Sequence, residues 1–355
     1  MKKYLYIGVL DCILACMVGC SHTEDVWSTK LPSEGYIYFN TEVDSRGTLV
    51  TSMQNEDFGV VGFCYTGDWN TVKVQAVPNV FENHGQEVTW ETDDKGNGYH
   101  SYTPYAEWDA TKKYTFFGYY PFGMQLSDKD TEGVPYIDYT LPESVSDMKD
   151  VMTASLYDTD NSASNAVGLT FKHRLVAMDV QARNFHEEGI RVKVKSLAVS
   201  FDNLLYNQVR VPLDASLDIT SGVVNGWNKK PNYSIVSSSV IVEPTGSSSA
   251  AVSLLDNSSL IFIPQDKDNN GHYLKGSVKL DYSFVDENDN LITVTNSQGQ
   301  SITGEDNVNL SFETGKSMLA GRRYYLLLNF SKTSVSIAIV DSGEWTDEKV
   351  EIEFE

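Results

Sequence analysis

The thiol of Cys20 is the side chain in this sequence best placed for covalent chemistry. It closes the run Met17-Val18-Gly19-Cys20, where small residues open the backbone to a signal peptidase and the sulfur is the atom that takes a lipid. Lys2 and Lys3 form a charged start, and Tyr4 to Val18 is mostly apolar apart from Asp11. That run falls short of the ~20 apolar residues a spanning helix needs, so export with cleavage is expected rather than a transmembrane anchor. Residues 1–19 read as a lipoprotein signal peptide, with the mature chain held to a membrane by acyl chains such as palmitate on Cys20. Ile13-Leu14-Ala15-Cys16 is a competing box, and an ordinary cleaved signal peptide is the alternative. Ser21, Glu24 and Asp25 resemble the acidic stretch that sends some Gram-negative lipoproteins to the outer face.

Other groupings with chemical potential have stronger structural explanations. Asp266-x-Asp268-x-Asn270-Gly271 matches the first half of a calcium loop, but Ser277 stands where the loop needs its bidentate Glu. A polar hairpin turn is expected there. Ser146 and Lys149 have the Ser-x-x-Lys spacing of some acyl-transfer enzymes, without the Lys-Thr-Gly that accompanies it. Gly315-Lys316-Ser317 lacks the upstream glycine of a phosphate loop. The six histidines (His22, His84, His100, His173, His186 and His272) show no metal-ligand spacing, and His173 in its apolar run reads as a core residue. Trp69, Trp90, Trp108 and Trp227 offer sugar-stacking faces, though packing is the commoner use of such rings. No catalytic residue, metal ligand or cofactor site is expected, and the chain reads as a non-enzyme.

The elements that would hold these residues are strands. The sequence carries 27 basic and 49 acidic residues, a formal charge of −22, which argues against nucleic acid as a partner and suits a self-repelling surface protein. With Cys12 and Cys16 in the leader and Cys20 lipidated, Cys64 is left alone, so no intramolecular disulfide is expected and Cys64 reads as a buried thiol. The dominant hydrophobic period is two: Arg191 to Val199 alternates polar and apolar side chains, as a half-buried strand should. Further strands are expected over Tyr114 to Tyr120, Gly168 to Ala182, Ser234 to Val242, Leu260 to Ile263 and Leu274 to Val285. Near the end come Leu291 to Thr295, Val308 to Phe312, Tyr324 to Phe330, Val335 to Val340 and Val350 to Phe354. Asp93 to Gly98, Asp266 to Gly271 and Asp286 to Asn290 are turns by composition, and two helical turns are expected near Ser144 to Thr153. Together these predict an all-β protein of the sandwich kind, with Phe185 to Gly189 as the link between halves and Gly246 to Ser249 as a flexible loop.

A set of phrases adds a resemblance. Phe58-Gly59-Val60-Val61-Gly62-Phe63 follows the segment with Ser45-Arg46-Gly47. Then come Tyr114 to Pro121, Asp150-Val151-Met152-Thr153-Ala154 and Leu169 to Leu175, with Trp345 ahead of Val350 to Phe354 at the end. In this order and spacing the chain resembles the fimbrillin family, the lipoprotein-derived subunits of type V pili. The resemblance implies two transthyretin-like Greek-key β-sandwich domains in tandem, expected over 47–185 and 186–355. It also implies a lipid-anchored propeptide over 20–46 with a removable first strand, and assembly by proteolysis-triggered strand exchange. A trypsin-like protease cutting between Arg46 and Gly47 would release the lipid together with the apolar strand Tyr36-Ile37-Tyr38-Phe39. An extended segment from another subunit would fill the vacated groove, and Val335, Ile337 and Ile339 or Val350, Ile352 and Phe354 present side chains at the required period. The implied partners are other pilus subunits, the protease and, for the precursor, the outer membrane; the implied destination is the cell surface and then the fimbrium. Two alternatives stay open. Arg46 also fits an ordinary surface arginine, with the last strand completing its own sandwich, and the whole chain also fits a non-polymerising outer-membrane lipoprotein that binds a glycan or host ligand.

Overall fold

The computed structural model describes residues 35–344, except 45–49, 82–84, 128–132, 161–165, 205, 220–222, 227–230, 237–238, 245–250, 256–258, 269, 296–298, 300, 304–305 and 332–333. The expectations placed on Cys20, Arg46, Gly47, Val350, Ile352 and Phe354, and the loop at Gly246, lie outside the described residues. Within them the protein is all-β; the helical pieces are short, Trp69–Val72 and a 3-10 turn at Val145–Asp147, with Ile219 also in a 3-10 conformation. The two helical turns expected near Ser144 to Thr153 shrink to that one turn, because Met152 onward is drawn into a strand of the first sheet.

The N-terminal part is built on a seven-stranded sheet, in the order Tyr38–Val43, Ala166–His173, Met152–Thr159, Lys113–Tyr120, Phe58–Tyr65, Gln86–Thr92, Gly98–Ser101. Its central strands are buried on both faces, which explains why Phe58 to Tyr65 and Lys113 to Tyr120 read as unbroken apolar runs. Phe58, Val60 and Phe116 point into one core, shared with Ile37, Phe39, Leu169 and Phe171. Val61, Phe63, Phe117 and Tyr119 point the other way, into a larger core that continues through the second half. The Ala166–His173 strand buries Val167, Leu169, Phe171 and His173 and exposes Gly168, Thr170 and Lys172, the period of two that its sequence carries.

Two five-stranded sheets make the second half. Val176–Asn184 and Arg322–Phe330 form the centre of one, flanked by Val252–Ser253, Leu260–Phe262 and Val335–Glu344. Arg191–Phe201 and Lys275–Val285 form the centre of the other, with Asn232–Val236, Val240–Val242 and Asp306–Glu313. Their inner faces meet as a sandwich: the Tyr282 and Phe330 rings lie 5.2 Å apart and those of Phe201 and Phe262 5.6 Å. A four-stranded sheet bridges the halves by pairing Tyr136–Thr140 with Tyr206–Pro212.

The strand expected over Gly168 to Ala182 is two strands. The break falls at Arg174 and Leu175, where the Arg174 amide donates to Val151 O and its buried guanidinium donates to Ala215 O and Leu217 O at 2.8 and 2.5 Å. Val176–Asn184 then runs parallel to Arg322–Phe330, so it pairs with strands of the second half although it precedes the Phe185 to Gly189 link. Ser234 to Val242 likewise divides into two strands along Arg191–Phe201. The turns follow one plan: Asp93 and Asp286 each accept two backbone N–H groups and an asparagine amide from the residues that follow.

Candidate functional site

The N-terminal strand begins as a clasp. Gly35 O accepts from Trp108 N at 2.8 Å, and Ile37 N donates to Ala106 O at 2.8 Å. Tyr102 donates its hydroxyl to Ile37 O at 2.7 Å, and burial holds that phenol well above its ordinary pKa, so it acts as a neutral donor. From Tyr38 the chain turns to the other side and pairs in parallel with Ala166 to Phe171. The expected four-residue strand is thus the start of a longer one, Tyr38–Val43, with Tyr36 and Ile37 forming its lead-in.

Alternation decides what the segment buries. Ile37 and Phe39 are 0% and 3% exposed, whereas Tyr36 and Tyr38 are half-buried. The Phe39 ring sits in an aromatic groove, with centroids 5.7 Å from Tyr102 and Phe116, 6.2 Å from Phe58 and 6.4 Å from Phe81. Opposite edges of the sheet meet here, since Thr41 on the first strand reaches His100 on the last, Oγ1 to Nδ1 3.5 Å. Removing residues 36–43 would unpair the edge of Ala166–His173 and open this groove to water. Burial of Ile37 and Phe39 alone contributes about 3–6 kcal/mol before ordering costs.

The sequence does not mark His100 for this role, because nothing in a periodic pattern signals a residue that closes a curled sheet. Its Nε2 lies 3.1 Å from Met53 O, and its ring packs on Phe58 and Trp90. Burial lowers its pKa below the unfolded value of about 6.5. As pH falls the unfolded chain therefore takes up the proton first. The stability tied to the neutral ring is complete above about pH 6.5 and is lost below it, until the folded ring itself protonates. The wild-type chain should lose more thermal stability between about pH 7.5 and 5.5 than His100→Gln. Equal losses in a melting series would assign the acid sensitivity to other groups.

At the other end, Val335, Ile337 and Ile339 lie on Val335–Glu344, an edge strand that pairs antiparallel with Arg322–Phe330. All three are half-buried and pack on the larger core, with Ile337 opposite Leu328 and Ile339 opposite Leu326. Their period of two holds, and here it serves the chain's own sheet. Asp150 and His173, far apart in the sequence, also meet: His173 Nδ1 and Asp150 Oδ2 are 2.5 Å apart, both side chains nearly fully buried. The partnership crosses the register pair Met152 and His173, and no spacing in the sequence announces it.

The remaining candidates resolve into structure. Asp268 accepts N–H groups from Asn270 and His272 and the Asn203 amide, which is a polar hairpin turn, and no group of three metal-binding side chains gathers among the described residues. Lys316 pairs with Asp341, and Ser146 bonds its neighbours Ser144 and Asp147 rather than Lys149. Trp69 is core, 5.0 Å from Phe63; Trp90 and Trp108 are half-buried against His100 and Tyr114, and Trp227 lies outside the described residues. Cys64 is free but half-buried rather than buried, its backbone held by the Asn79 amide. No helix among the described residues is long and apolar enough to cross a membrane.

Comparison with known proteins agrees with this architecture. A fimbrial protein from Bacteroides vulgatus superposes with a TM-score of 0.60 at 21% identity, covering 88% of this chain and 100% of that one, so the two share a fold. A candidate cell adhesion protein from Bacteroides uniformis aligns with a TM-score of 0.47 at 13% identity, over 89% of this chain and 100% of that one. None of the curated proteins compared matches the chain. The model of a family described as fimbrillin-like matches residues 49–343, most of the sequence, and the chain belongs to that fimbrillin-like family.

Proposed function

We propose that this chain is a structural or adhesive subunit of a cell-surface pilus, exported as a lipoprotein through Cys20 and assembled by protease-triggered strand exchange. The observation that carries the proposal is the N-terminal strand: it is an edge strand, it plugs an aromatic groove with Ile37 and Phe39, and it ends three residues before Arg46. A trypsin-like cut between Arg46 and Gly47 severs that plug from the body together with the lipid. The opened edge then takes an extended segment of another subunit by β-augmentation, with ladder hydrogen bonds for affinity and apolar side chains in the Ile37 and Phe39 positions.

Within this proposal the chain forms two β-sandwich units of transthyretin-like Greek-key type, divided at about residue 185. By its pairing, Val176–Asn184 would belong with the second unit. The precursor resides at the outer membrane and the processed subunit in the fimbrium.

Arg46→Ala is the direct test. The variant should accumulate as a lipid-tethered monomer with an intact first strand, while the wild type yields sheared polymer whose subunits start at Gly47. Normal fibres from Arg46→Ala, seen by electron microscopy and by ladders on unheated gels, would sink the proposal.

A further inference from the structure

Three irregular pieces of the fold meet around one cavity of about 330 Å³. The first is a bulge in the strand Met152–Thr159. Phe116 pairs with Leu156 and Tyr114 with Thr159, so Tyr157 and Asp158 together stand opposite Thr115. Successive residues of a regular strand point to opposite faces. Here the extra residue, with Asp158 at φ 51°, lets both side chains line the same cavity. The second piece is the one-turn helix Trp69–Val72, which contributes Asn70 and leads into Lys73. The third is the turn after Tyr206–Pro212, which contributes Asp214 and Leu217.

Hydrogen bonds separate the groups that hold the wall from those left to face an occupant. Asp214 accepts the Tyr157 hydroxyl at 2.5 Å, the Ser155 hydroxyl at 3.2 Å, and the Ser216 N–H and hydroxyl at 2.8 Å each. Its carboxylate is fully used and fixes the Tyr157 ring. That ring is half-buried and backed by Phe117 and Trp69, with centroids 5.5 and 6.1 Å away. Asp158 accepts the Tyr65 hydroxyl at 3.0 Å and the Trp69 N–H at 2.8 Å, both through Oδ1. Among the described residues its Oδ2 is engaged by no donor. The neighbouring Asn70 amide is exposed.

The chemistry of this wall selects the occupant. A simple anion would meet Asp158 and Asp214, and a simple cation would meet Lys73. Asp158 can only accept, Lys73 can only donate and Asn70 does both, a mixture that suits hydroxyl groups, which are donor and acceptor at once. The aromatic face of Tyr157 suits the C–H face of a ring. The volume is at the small end of ligand sites, enough for one ring rather than a chain. We propose that this cavity binds a single neutral pyranose, with its C–H face on Tyr157 and adjacent hydroxyls on Asp158 Oδ2 and the Asn70 amide. The site gives chemical content to the adhesive side of the proposed function, and it depends neither on cleavage at Arg46 nor on strand exchange.

The test titrates the uncut full chain with the methyl glycosides of glucose, galactose, mannose and N-acetylglucosamine, followed by saturation-transfer NMR. At least one should bind saturably with a Kd of about 1 mM, as a single small ring allows. Irradiation of aromatic protons should transfer to its ring C–H groups. Asp158→Asn keeps the Oδ1 acceptor for Trp69 and replaces Oδ2 by a donor, and Asn70→Ala removes an exposed amide. Each should weaken binding at least about fivefold, a loss of one hydrogen bond, with the urea midpoint unchanged for Asn70→Ala. Absence of saturable binding by all four glycosides overturns the proposal. So does binding that both variants leave intact, since the sugar would then sit elsewhere. Tighter binding of glucuronate or glucosamine than of the neutral glycosides would overturn the assignment of a neutral ligand. Polymerisation of a chain that binds no glycoside would leave the assembly proposal standing, whereas fibres from Arg46→Ala would overturn the cleavage with the glycoside result unaffected.

Discussion

Phe39→Ala should destabilise the uncut chain by about 3–5 kcal/mol, the range for truncating a fully buried phenylalanine. The upper half of that range is expected, because the groove has little freedom to collapse. Phe58 and Phe116 belong to central strands paired on both sides, and Tyr102 is fixed by its bond to Ile37 O. The cavity left by the ring would keep its shape and lose its contacts. The backbone ladder from Tyr38 to Val43 remains available, so the loss isolates the plug from the strand pairing. Urea denaturation monitored by tryptophan fluorescence measures it. A loss below about 1 kcal/mol would show that the strand is held by its ladder alone, and the vacated groove would then be a poor receptor for another subunit. The same variant should exchange its first strand for an added apolar peptide without any cut, because the competing occupant has been weakened while the groove is unchanged.

Much of this was legible in the sequence, for reasons that can be located. The alternation of Arg191 to Val199 and the unbroken runs at Phe58 and Tyr114 reflect burial on one face and on two, and both survive as strands of those kinds. The apolar lead strand was visible because Ile37 and Phe39 alternate with tyrosines, and the resemblance placed it next to Arg46. Partners were not legible. Tyr38–Val43 pairs with residues more than a hundred positions away, in parallel, and Val176–Asn184 does the same with Arg322–Phe330. No hairpin turn connects such strands, so neither turn chemistry nor periodicity reports the pairing. The break at Arg174 was hidden for a related reason: its guanidinium donates through both terminal nitrogens to carbonyls of residues 215 and 217, a contact that local patterning does not encode. The Asp150–His173 pair and the closure at His100 share this character, being polar contacts between elements brought together only by the curled sheet.

The two candidate donor segments should separate cleanly under substitution by aspartate. Ile337 is packed on the chain's own core beside Leu328, so Ile337→Asp forfeits apolar burial and brings a carboxylate against that core. A loss of about 2–4 kcal/mol in monomer stability is expected, with polymer yield falling in step. Detaching Val335–Glu344 for donation would forfeit the ladder with Arg322–Phe330 and the seats of Val335, Ile337 and Ile339 together. That cost would have to be recovered in the neighbour's groove before any net gain. Val350, Ile352 and Phe354 are the segment on which the assembly proposal therefore leans. Ile352→Asp should abolish polymer formation after cleavage, because a charged side chain entering the aromatic groove of Phe58, Tyr102 and Phe116 is left unpaired. Polymerisation at the wild-type rate by Ile352→Asp, alongside a loss confined to Ile337→Asp, would transfer the donor role to Val335–Glu344. The physics of the receiving groove would stand, and the exchange would then require the last strand of the second sheet to leave its own sandwich.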